Sequence, residues 1–272
     1  MSLNMNSTYK LNNGVEIPIM GFGTWTLKGD DAVNAVQWAL DEDYRLVDTA
    51  SFYNNEKEVG SAIAQSNIPR EELFITTKVW DSEQGYNKTF KAFERSLEKL
   101  KLNYLDLYLI HWPRDKFLET WKAMTELYQE GKIKAIGVSN FTIEHLKELL
   151  SHFDIVPTVN QVEFHPFLYQ KTLLEFCREH NIRLEAYSPL AKGRKFSHPK
   201  LQEISDKYDK SPAQIMLRWG LQHGIIEIPR SSNKTHIAEN RDIFDISVSD
   251  DDMDRLNTLN SDFRVVDDQV FD

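Results

Sequence analysis

Short strand-like runs alternate with helix-like segments along almost the whole chain, and this alternation constrains its fold most strongly. The runs cover Ile17–Phe22, Arg45–Asp48, Leu73–Val79, Leu105–His111, Lys134–Asn140, Thr158–Phe164, Arg183–Pro189 and Ile225–Arg230. Amphipathic segments with helical apolar spacing follow them. They cover Asp31–Leu40, Glu56–Ala64, Thr89–Leu100, Phe117–Tyr128, Ile143–Leu150, Lys171–His180, Pro212–His223 and Lys234–Phe244. Eight β-then-α units indicate a parallel barrel or a large doubly wound sheet. The number eight and the length of 272 residues favour an α/β fold of the (β/α)8 TIM barrel type, as a single domain over residues 1–272.

Two features lie outside the repeat. The turn residues Asn12-Asn13-Gly14, between Tyr9–Leu11 and Val15–Ile17, predict a tight β-hairpin before the first barrel strand. Two extra helices are predicted over Pro199–Tyr208 and Asp250–Leu259.

The bulk composition argues against several classes of partner. A net charge of −10 disfavours a nucleic-acid-binding protein, which needs a basic face. No apolar stretch approaches the roughly 20 residues of a membrane span, and the N-terminus has no pattern of a secretory signal. The single cysteine, Cys177, excludes a disulfide framework and favours a reducing compartment. We therefore expect a cytoplasmic protein, and we expect it to be a monomer.

Proton-handling side chains follow three consecutive strand-like runs. Asp48, Lys78 and His111 end these runs, and Tyr53 follows the first of them. Each residue alone has an ordinary structural explanation, but the carboxyl ends of barrel strands meet at one face, where barrel active sites lie. A phenol with a pKa near 10 is a weak acid at neutral pH, and a nearby ammonium lowers that pKa. The group therefore suits donation of a proton to a carbonyl oxygen as hydride reaches the carbon.

With these residues in place, the chain resembles the aldo-keto reductase family over nearly its whole length, and its loops resemble those of short-loop bacterial members. The resemblance rests on ordered motifs that include 21-GFGTW-25, 47-VDTA-50, 53-YNNE-56, 77-TKVW-80, 106-DLYLIHWP-113, 136-IGVSNF-141, 160-NQVE-163, 165-HP-166, 186-AYSPL-190, 228-IPRS-231 and 239-EN-240. It implies NAD(P)H-dependent reduction of aldehydes or ketones, with Tyr53 as the general acid and with Asp48, Lys78 and His111 as its catalytic partners.

The resemblance also implies binding residues. Ser139, Asn140 and Gln161 would hold the nicotinamide carboxamide, and Tyr187 would stack on the ring, although a core aromatic is the alternative for Tyr187. The other implied cofactor-binding residues are Gly23, Thr24, Trp25, Asp48, Ser188, Leu190, Lys192, Arg230, Ser231, Ser232, His236, Glu239 and Asn240. Trp25, Trp80, His111 and Trp112 would wall the substrate pocket, with ordinary packing as the alternative for the tryptophans.

An anion site is expected where the eighth strand meets the next helix. Barrels often bind phosphate there, at a helix N-terminus. The segment Pro229–Asn233 supplies Arg230 and hydroxyls, and Lys192, Arg194 and Lys195 lie in the loop after the seventh strand. The family's usual lysine is Arg230 here, and its usual downstream arginine is His236. A histidine is only partly charged near neutral pH and cannot form a bidentate fork. We therefore expect NADPH to bind, with NADH also tolerated.

The sequence indicates only the class of the substrate. The segments Arg114–Leu118 and Arg264–Asp272, which shape the pocket in the family, are short. They suggest an open site for small aldehydes, α-dicarbonyls or keto-sugars. Val265-Val266 and Phe271 could line this pocket or seal the barrel rim.

Two other functions stay open at this point. A barrel hydrolase could use Asp48, Glu163 and Glu185 as an acid/base pair, but this leaves Lys78 and Tyr53 unexplained. A non-catalytic nucleotide sensor is the second alternative. A metal enzyme is disfavoured, because His111 and His165 are too sparse to make a ligand set.

Overall fold

An antiparallel hairpin opens the computed structural model, which describes residues 3–266. Its strands are β1 (Thr8–Lys10) and β2 (Glu16–Pro18). The Leu11 amide donates to the Val15 carbonyl at 2.8 Å and closes the three-residue loop. Gly14 ends this loop at a φ of 90°, which costs little without a Cβ. The predicted hairpin is confirmed.

Eight parallel strands form the barrel within residues 3–266. They are β3 (Gly21–Gly23), β4 (Leu46–Asp48), β5 (Phe74–Val79), β6 (Leu105–Ile110), β7 (Ile133–Ser139), β8 (Val159–Glu163), β9 (Arg183–Tyr187) and β10 (Ile226–Glu227). Each strand pairs with the next in the chain. The Glu227 amide donates to the Ile19 carbonyl at 3.0 Å, and the Gly23 amide donates to the Pro229 carbonyl at 3.0 Å. These bonds join the last strand to the first, so the predicted (β/α)8 barrel is confirmed.

The boundaries of the first and last barrel strands differ from the prediction. The first was expected over Ile17–Phe22, but the residues up to Pro18 belong to the hairpin and the barrel strand begins at Gly21. The last was expected to reach Arg230 and ends at Glu227. Both differences fall at prolines, Pro18 and Pro229, which have no N–H to extend a ladder.

Ten helices surround the barrel in the described part of the chain. They are α1 (Gly29–Asp41), α2 (Glu56–Gln65), α3 (Tyr86–Leu100), α4 (Phe117–Gln129), α5 (Ile143–His152), α6 (Lys171–Glu179), α7 (Pro199–Tyr208), α8 (Pro212–Gln222), α9 (Lys234–Arg241) and α10 (Asp250–Asn257). The two predicted extra helices are α7 and α10. Helix α9 ends before the expected Phe244, because the Ile243 amide bonds to the Arg241 carbonyl instead of continuing the helix. None of the helices in residues 3–266 is long and apolar enough to cross a bilayer.

Two apolar layers leave one end of the barrel for polar groups. The larger core lies between the strands and the helices. A second cluster fills the barrel interior and includes Leu46, Phe74 and Leu107 from the strands. Leu11 and Ile17 of the hairpin belong to this cluster, so the hairpin closes the amino-terminal end of the barrel. The carboxyl ends of the strands carry the polar side chains described next.

Candidate active site

A buried ammonium lies at the centre of the polar end of the barrel. Lys78, in β5, is fully buried, and its Nζ donates to Asp48 Oδ1 at 2.6 Å and to Oδ2 at 2.8 Å. Nζ also donates to the Thr49 carbonyl at 3.0 Å. The Tyr53 hydroxyl lies 3.4 Å from the same nitrogen. Tyr53 reaches this position because a 3-10 turn, Ser51–Tyr53, directly follows β4.

Burial and charge act in opposite directions on this pair. Burial alone would lower the pKa of Lys78, but the Asp48 carboxylate and the Tyr53 phenol outweigh it, and the pKa is raised. Burial raises the pKa of Tyr53 above its ordinary value, and the Lys78 charge offsets only part of this rise. As predicted, the Lys78 charge lowers the pKa of Tyr53. Burial raises that pKa by more, so the expected net lowering is wrong. Tyr53 is a protonated phenol at neutral pH, beside a charged amine.

His111 follows β6 and faces Tyr53. The two ring centroids lie 5.6 Å apart at 74°. Burial first, and then the Lys78 charge, hold the pKa of His111 well below its ordinary value. The imidazole is therefore neutral at physiological pH and carries a single N–H. Its Nδ1 is buried and has no hydrogen-bond partner among residues 3–266.

Amide and hydroxyl groups form a connected shelf beside these residues. Tyr187 donates its hydroxyl to Asn140 Oδ1 at 2.8 Å, and Asn140 Nδ2 donates to the His111 carbonyl at 3.0 Å. Ser139 Oγ donates to the Gln161 carbonyl at 2.9 Å. Asn140 has a φ of 63°, in the left-handed region that asparagine tolerates better than most residues. The shelf is therefore held in place by its own bonds and by the backbone turn after β7.

One cleft of about 710 Å³ contains most of the predicted site residues. Those that line it are Gly23, Thr24, Trp25, Asp48, Tyr53, Trp80, His111, Trp112, Ser139, Asn140, Gln161, Tyr187, Ser188, Leu190, Lys192, Arg230, Ser231, Ser232 and His236. Lys78 lies beneath the cleft. Glu239 and Asn240 do not line it, and their part in cofactor binding stays a prediction.

Some lining residues were not singled out from the sequence. They are Thr26, Phe52, Gly193 and Phe196, whereas Pro189, Ile228, Pro229 and Asn233 also line the cleft and lie inside the predicted motifs or the Pro229–Asn233 segment. Most of these residues are sequence neighbours of predicted site residues, so including the neighbours of each motif would have found them. Phe52 stacks on Trp80 with ring centroids 3.7 Å apart, and Trp80 lies 5.0 Å from the His111 ring. One wall of the cleft is therefore aromatic.

The basic groups lie at the far end of the cleft. Arg230 Nε donates to the Trp25 carbonyl at 3.1 Å, and its Nη2 donates to Thr26 Oγ1 at 2.7 Å. A guanidinium has five N–H donors, so others are left for a ligand. The exposed His236 lies in the first turn of α9, whose cap Asn233 accepts its amide at 3.3 Å. This end combines positive charge with a helix N-terminus, and both features favour the binding of an anion.

The loop after β9 reaches across the cleft. Lys192 Nζ lies 4.7 Å from the centroid of the Trp25 ring and donates to the Val265 carbonyl at 2.8 Å. Lys195 Nζ lies over the Phe263 ring at 4.0 Å. Of the predicted C-terminal residues, Val266 lines the cleft. Phe271 lies outside the described residues.

Of the three carboxyl groups of the hydrolase alternative, Asp48 lines the cleft, but Glu163 and Glu185 do not. Glu163 is buried and accepts hydrogen bonds from the Val265 and Val266 amides. Glu185 is fully buried, and neither oxygen has a hydrogen-bond partner within the described chain. Among residues 3–266, no three His, Cys, Asp or Glu side chains are grouped to hold a metal ion.

Comparison with known proteins identifies the family. The model of the aldo/keto reductase family matches residues 19–261. Glyoxal reductase of Bacillus subtilis (strain 168) is 51% identical over 267 residues, which cover 97% of both proteins. The crystal structure of an aldo-keto reductase from a deep-sea metagenome library of the Medee basin matches with a TM-score of 0.94 and 46% identity, over 96% of this chain and 97% of that one.

A solved complex also matches this fold. The aldo-keto reductase of Bombyx mori in complex with NADP has a TM-score of 0.92 and 36% identity, over 99% of this chain and 97% of that one.

Proposed function

The chain belongs to the aldo/keto reductase family, and from this premise we propose that it catalyses the NADPH-dependent reduction of small aldehydes and α-dicarbonyls to alcohols. One observation carries the proposal. The buried ammonium of Lys78, held by both oxygens of Asp48, lies 3.4 Å from the hydroxyl of Tyr53 at the base of the cleft.

The cleft residues fit a nicotinamide dinucleotide. Ser139, Asn140 and Gln161 offer amide and hydroxyl groups for the carboxamide, and Tyr187 offers a ring face. Arg230 and the start of α9 offer donors for the phosphates. The Bombyx mori relative binds NADP, which supports this choice. When bound, this cofactor would supply hydride to the carbonyl carbon.

Tyr53 supplies the proton to the carbonyl oxygen. Its raised pKa keeps it protonated at neutral pH, so it is ready to donate. Donation leaves a phenolate, and the Lys78 ammonium lies close enough to stabilise that charge. Asp48 holds the ammonium in place, since both of its oxygens accept from Nζ.

His111 orients the substrate. It is neutral because burial and the Lys78 charge lower its pKa, so it donates one N–H without competing for the proton of Tyr53. A carbonyl oxygen that accepts from both His111 and Tyr53 is held in one direction. Its carbon is then presented toward the shelf of Asn140 and Gln161, whose amide groups would hold the nicotinamide carboxamide.

The substrate class rests on the walls of the cleft and on the relatives. Phe52 and Trp80 narrow one side, which suits small carbonyl compounds. The 51% identical protein of Bacillus subtilis is a glyoxal reductase. The positions of Glu163 and Glu185 outside the cleft argue against an acid/base pair for hydrolysis.

The test is oxidation of NADPH, followed by loss of nicotinamide absorbance with glyoxal, methylglyoxal and a panel of aldehydes. Tyr53→Phe should lower kcat by at least about 10²-fold, the effect of one general acid. Its affinity for NADPH, measured by fluorescence titration, should stay near that of the wild type. A Tyr53→Phe protein with most of its activity would contradict the mechanism, and lack of turnover across the panel would revive the nucleotide sensor.

A further inference from the structure

The chain after α10 returns across the mouth of the barrel. Residues 261–266 form this stretch, which we call the C-terminal strap. The Ser261 and Phe263 amides donate to the Phe167 carbonyl at 3.2 and 3.1 Å. Lys195 lies over the Phe263 ring, and Lys192 donates to the Val265 carbonyl at 2.8 Å. The strap therefore contacts the loops that follow β8 and β9.

A buried carboxylate holds the far end of the strap. Glu163, the last residue of β8, is 1% exposed. The Val265 amide donates to its Oε1 at 2.7 Å, and the Val266 amide donates to its Oε2 at 3.0 Å. His165 Nε2 lies 3.0 Å from Oε1 and must carry the proton, since a carboxylate only accepts. Three donors thus converge on one buried negative charge.

A carboxylate is the group that this arrangement requires. In Glu163→Gln, one of the two oxygens becomes an NH2 group, which cannot accept a hydrogen bond. Placing the NH2 at Oε1 opposes both Val265 and His165, so the amide orients with its NH2 toward Val266. That substitution therefore breaks the bond to Val266 without changing the size of the side chain. Charge-assisted bonds of this kind are the stronger ones.

Val266 lies at the boundary of two cavities. The catalytic cleft of about 710 Å³ lies on one side, and a second cavity of about 730 Å³ lies on the other. Val266 lines both of them, as do Trp112, Asn140 and Tyr187. The second cavity continues to Leu168 and Arg264. Movement of Val266 would join it to the cleft beside the catalytic group.

We propose that Glu163 is a specificity-determining residue that acts by positioning the C-terminal strap, so that Val266 keeps carbonyl substrates out of the second cavity. The proposal deepens the proposed function and rests on it. With the strap held, the enzyme takes small carbonyl compounds. With the strap released, aldehydes with a bulky apolar substituent extend past Trp112 toward Leu168.

The first experiment compares two substrates. The reduction of methylglyoxal and of 4-phenylbenzaldehyde is measured for four proteins. They are the wild type, Glu163→Gln, a variant lacking residues 265–272, and the double variant. Glu163→Gln and the truncation should each raise the ratio of kcat/KM for the bulky over the small aldehyde by about tenfold, the scale on which a pocket wall discriminates. The double variant should show no further rise, because both changes remove the same wall.

A second measurement reports on the strap itself. Hydrogen exchange at the Val265 and Val266 amides, and tryptic cleavage after Arg264, should both be faster in Glu163→Gln than in the wild type. Glu175→Gln is the matched control, because Glu175 is an exposed residue of α6 whose nearest cation, Lys171, lies 3.7 Å away. The control should leave exchange, cleavage and the substrate ratio unchanged.

The outcomes separate the two proposals. Unchanged exchange at Val265 and Val266 in Glu163→Gln overturns the role of Glu163, whatever the enzyme reduces. Faster exchange with an unchanged substrate ratio overturns the role of Val266 as a partition. If no carbonyl compound is reduced by the wild type, the proposed function fails, while the exchange data still decide whether Glu163 holds the strap.

Discussion

Lys78 and Asp48 form an ion pair that is almost completely withdrawn from solvent. Their side chains are 0% and 3% exposed, and Nζ lies 2.6 Å from Oδ1. Gln161 Nε2 donates to Oδ2 of the same carboxylate at 2.8 Å. The pair therefore connects the Tyr53 side of the cleft with the amide shelf, and we expect stability and, under the proposed function, activity to depend on it.

Removing one member of this pair should destabilise the fold strongly. Asp48→Asn and Lys78→Met each leave an uncompensated buried charge, so each should lower the free energy of unfolding by about 3–5 kcal/mol. The double variant should lose less than the sum of the two, since no charge is left unpaired. Urea denaturation measures all three. The exposed pair Lys171–Glu175 is the control, and its disruption should cost less than about 1 kcal/mol. Strict additivity in the Asp48/Lys78 cycle would contradict the prediction.

Glu185 should make stability depend on pH. Burial and then the Asp48 charge raise the pKa of Glu185 from 4.5 to about 8, and the Lys78 charge opposes this rise only in part. Between these values the folded state binds a proton that the unfolded state has lost, so stability falls as pH rises from about 4.5 to 8. The loss amounts to a few kcal/mol, at about 1.4 kcal/mol per unit of pKa.

Glu185→Gln should remove this dependence, because the amide is neutral at every pH. Urea unfolding of both proteins between pH 5 and 9 is the measurement, and the wild-type curve should decline relative to that of the variant. Glu175→Gln, at an exposed position, should follow the wild type. Parallel curves for the wild type and Glu185→Gln would show that Glu185 does not titrate in this window.

His236 should limit the preference for NADPH over NADH. It lines the basic end of the cleft together with Arg230, where the cofactor phosphates would lie under the proposed function, and histidine offers no bidentate fork. His236→Arg should raise the ratio of kcat/KM for NADPH over NADH by at least about tenfold, the effect of one added charge-assisted bond.

His152→Arg, an exposed substitution on α5, is the matched control for added charge. It should leave the cofactor ratio unchanged. A wild-type protein that already prefers NADPH as strongly as His236→Arg does would argue against any role of His236.

Cys177 should be chemically inert in the folded protein. It is fully buried on α6, and burial raises the pKa of its thiol to about 12, while a bond to Asn160 opposes the rise only in part. A thiol with so high a pKa carries almost no thiolate near neutral pH, and the thiolate is the reactive form. Ellman's reagent should therefore react in urea but not in native buffer. Full labelling of the native protein within minutes would contradict this.

The parts of the site that the sequence predicted depend on periodicity and strand direction. Asp48, Lys78 and His111 each end an apolar run, and parallel strands in a barrel bring such ends together. Tyr53 could be placed with them because so short a loop cannot carry it far. The hairpin followed from Asn12-Asn13-Gly14 by the same local reasoning. The strand ends near Pro18 and Pro229 were predicted wrongly. Strand pairing depends on hydrogen bonds to a neighbouring strand, and proline has no N–H to donate.

The sequence by itself determined the barrel, the order of its strands and the grouping of acid, amine, imidazole and phenol at one end, because these follow from local pattern and chain direction. Only the tertiary structure decided what burial does to each group. Glu163 and Glu185 have the same side chain, yet one accepts three hydrogen bonds and the other none within the described chain. Burial also outweighs Lys78 at Tyr53. Desolvation depends on every neighbour in space, and those neighbours are distant along the chain.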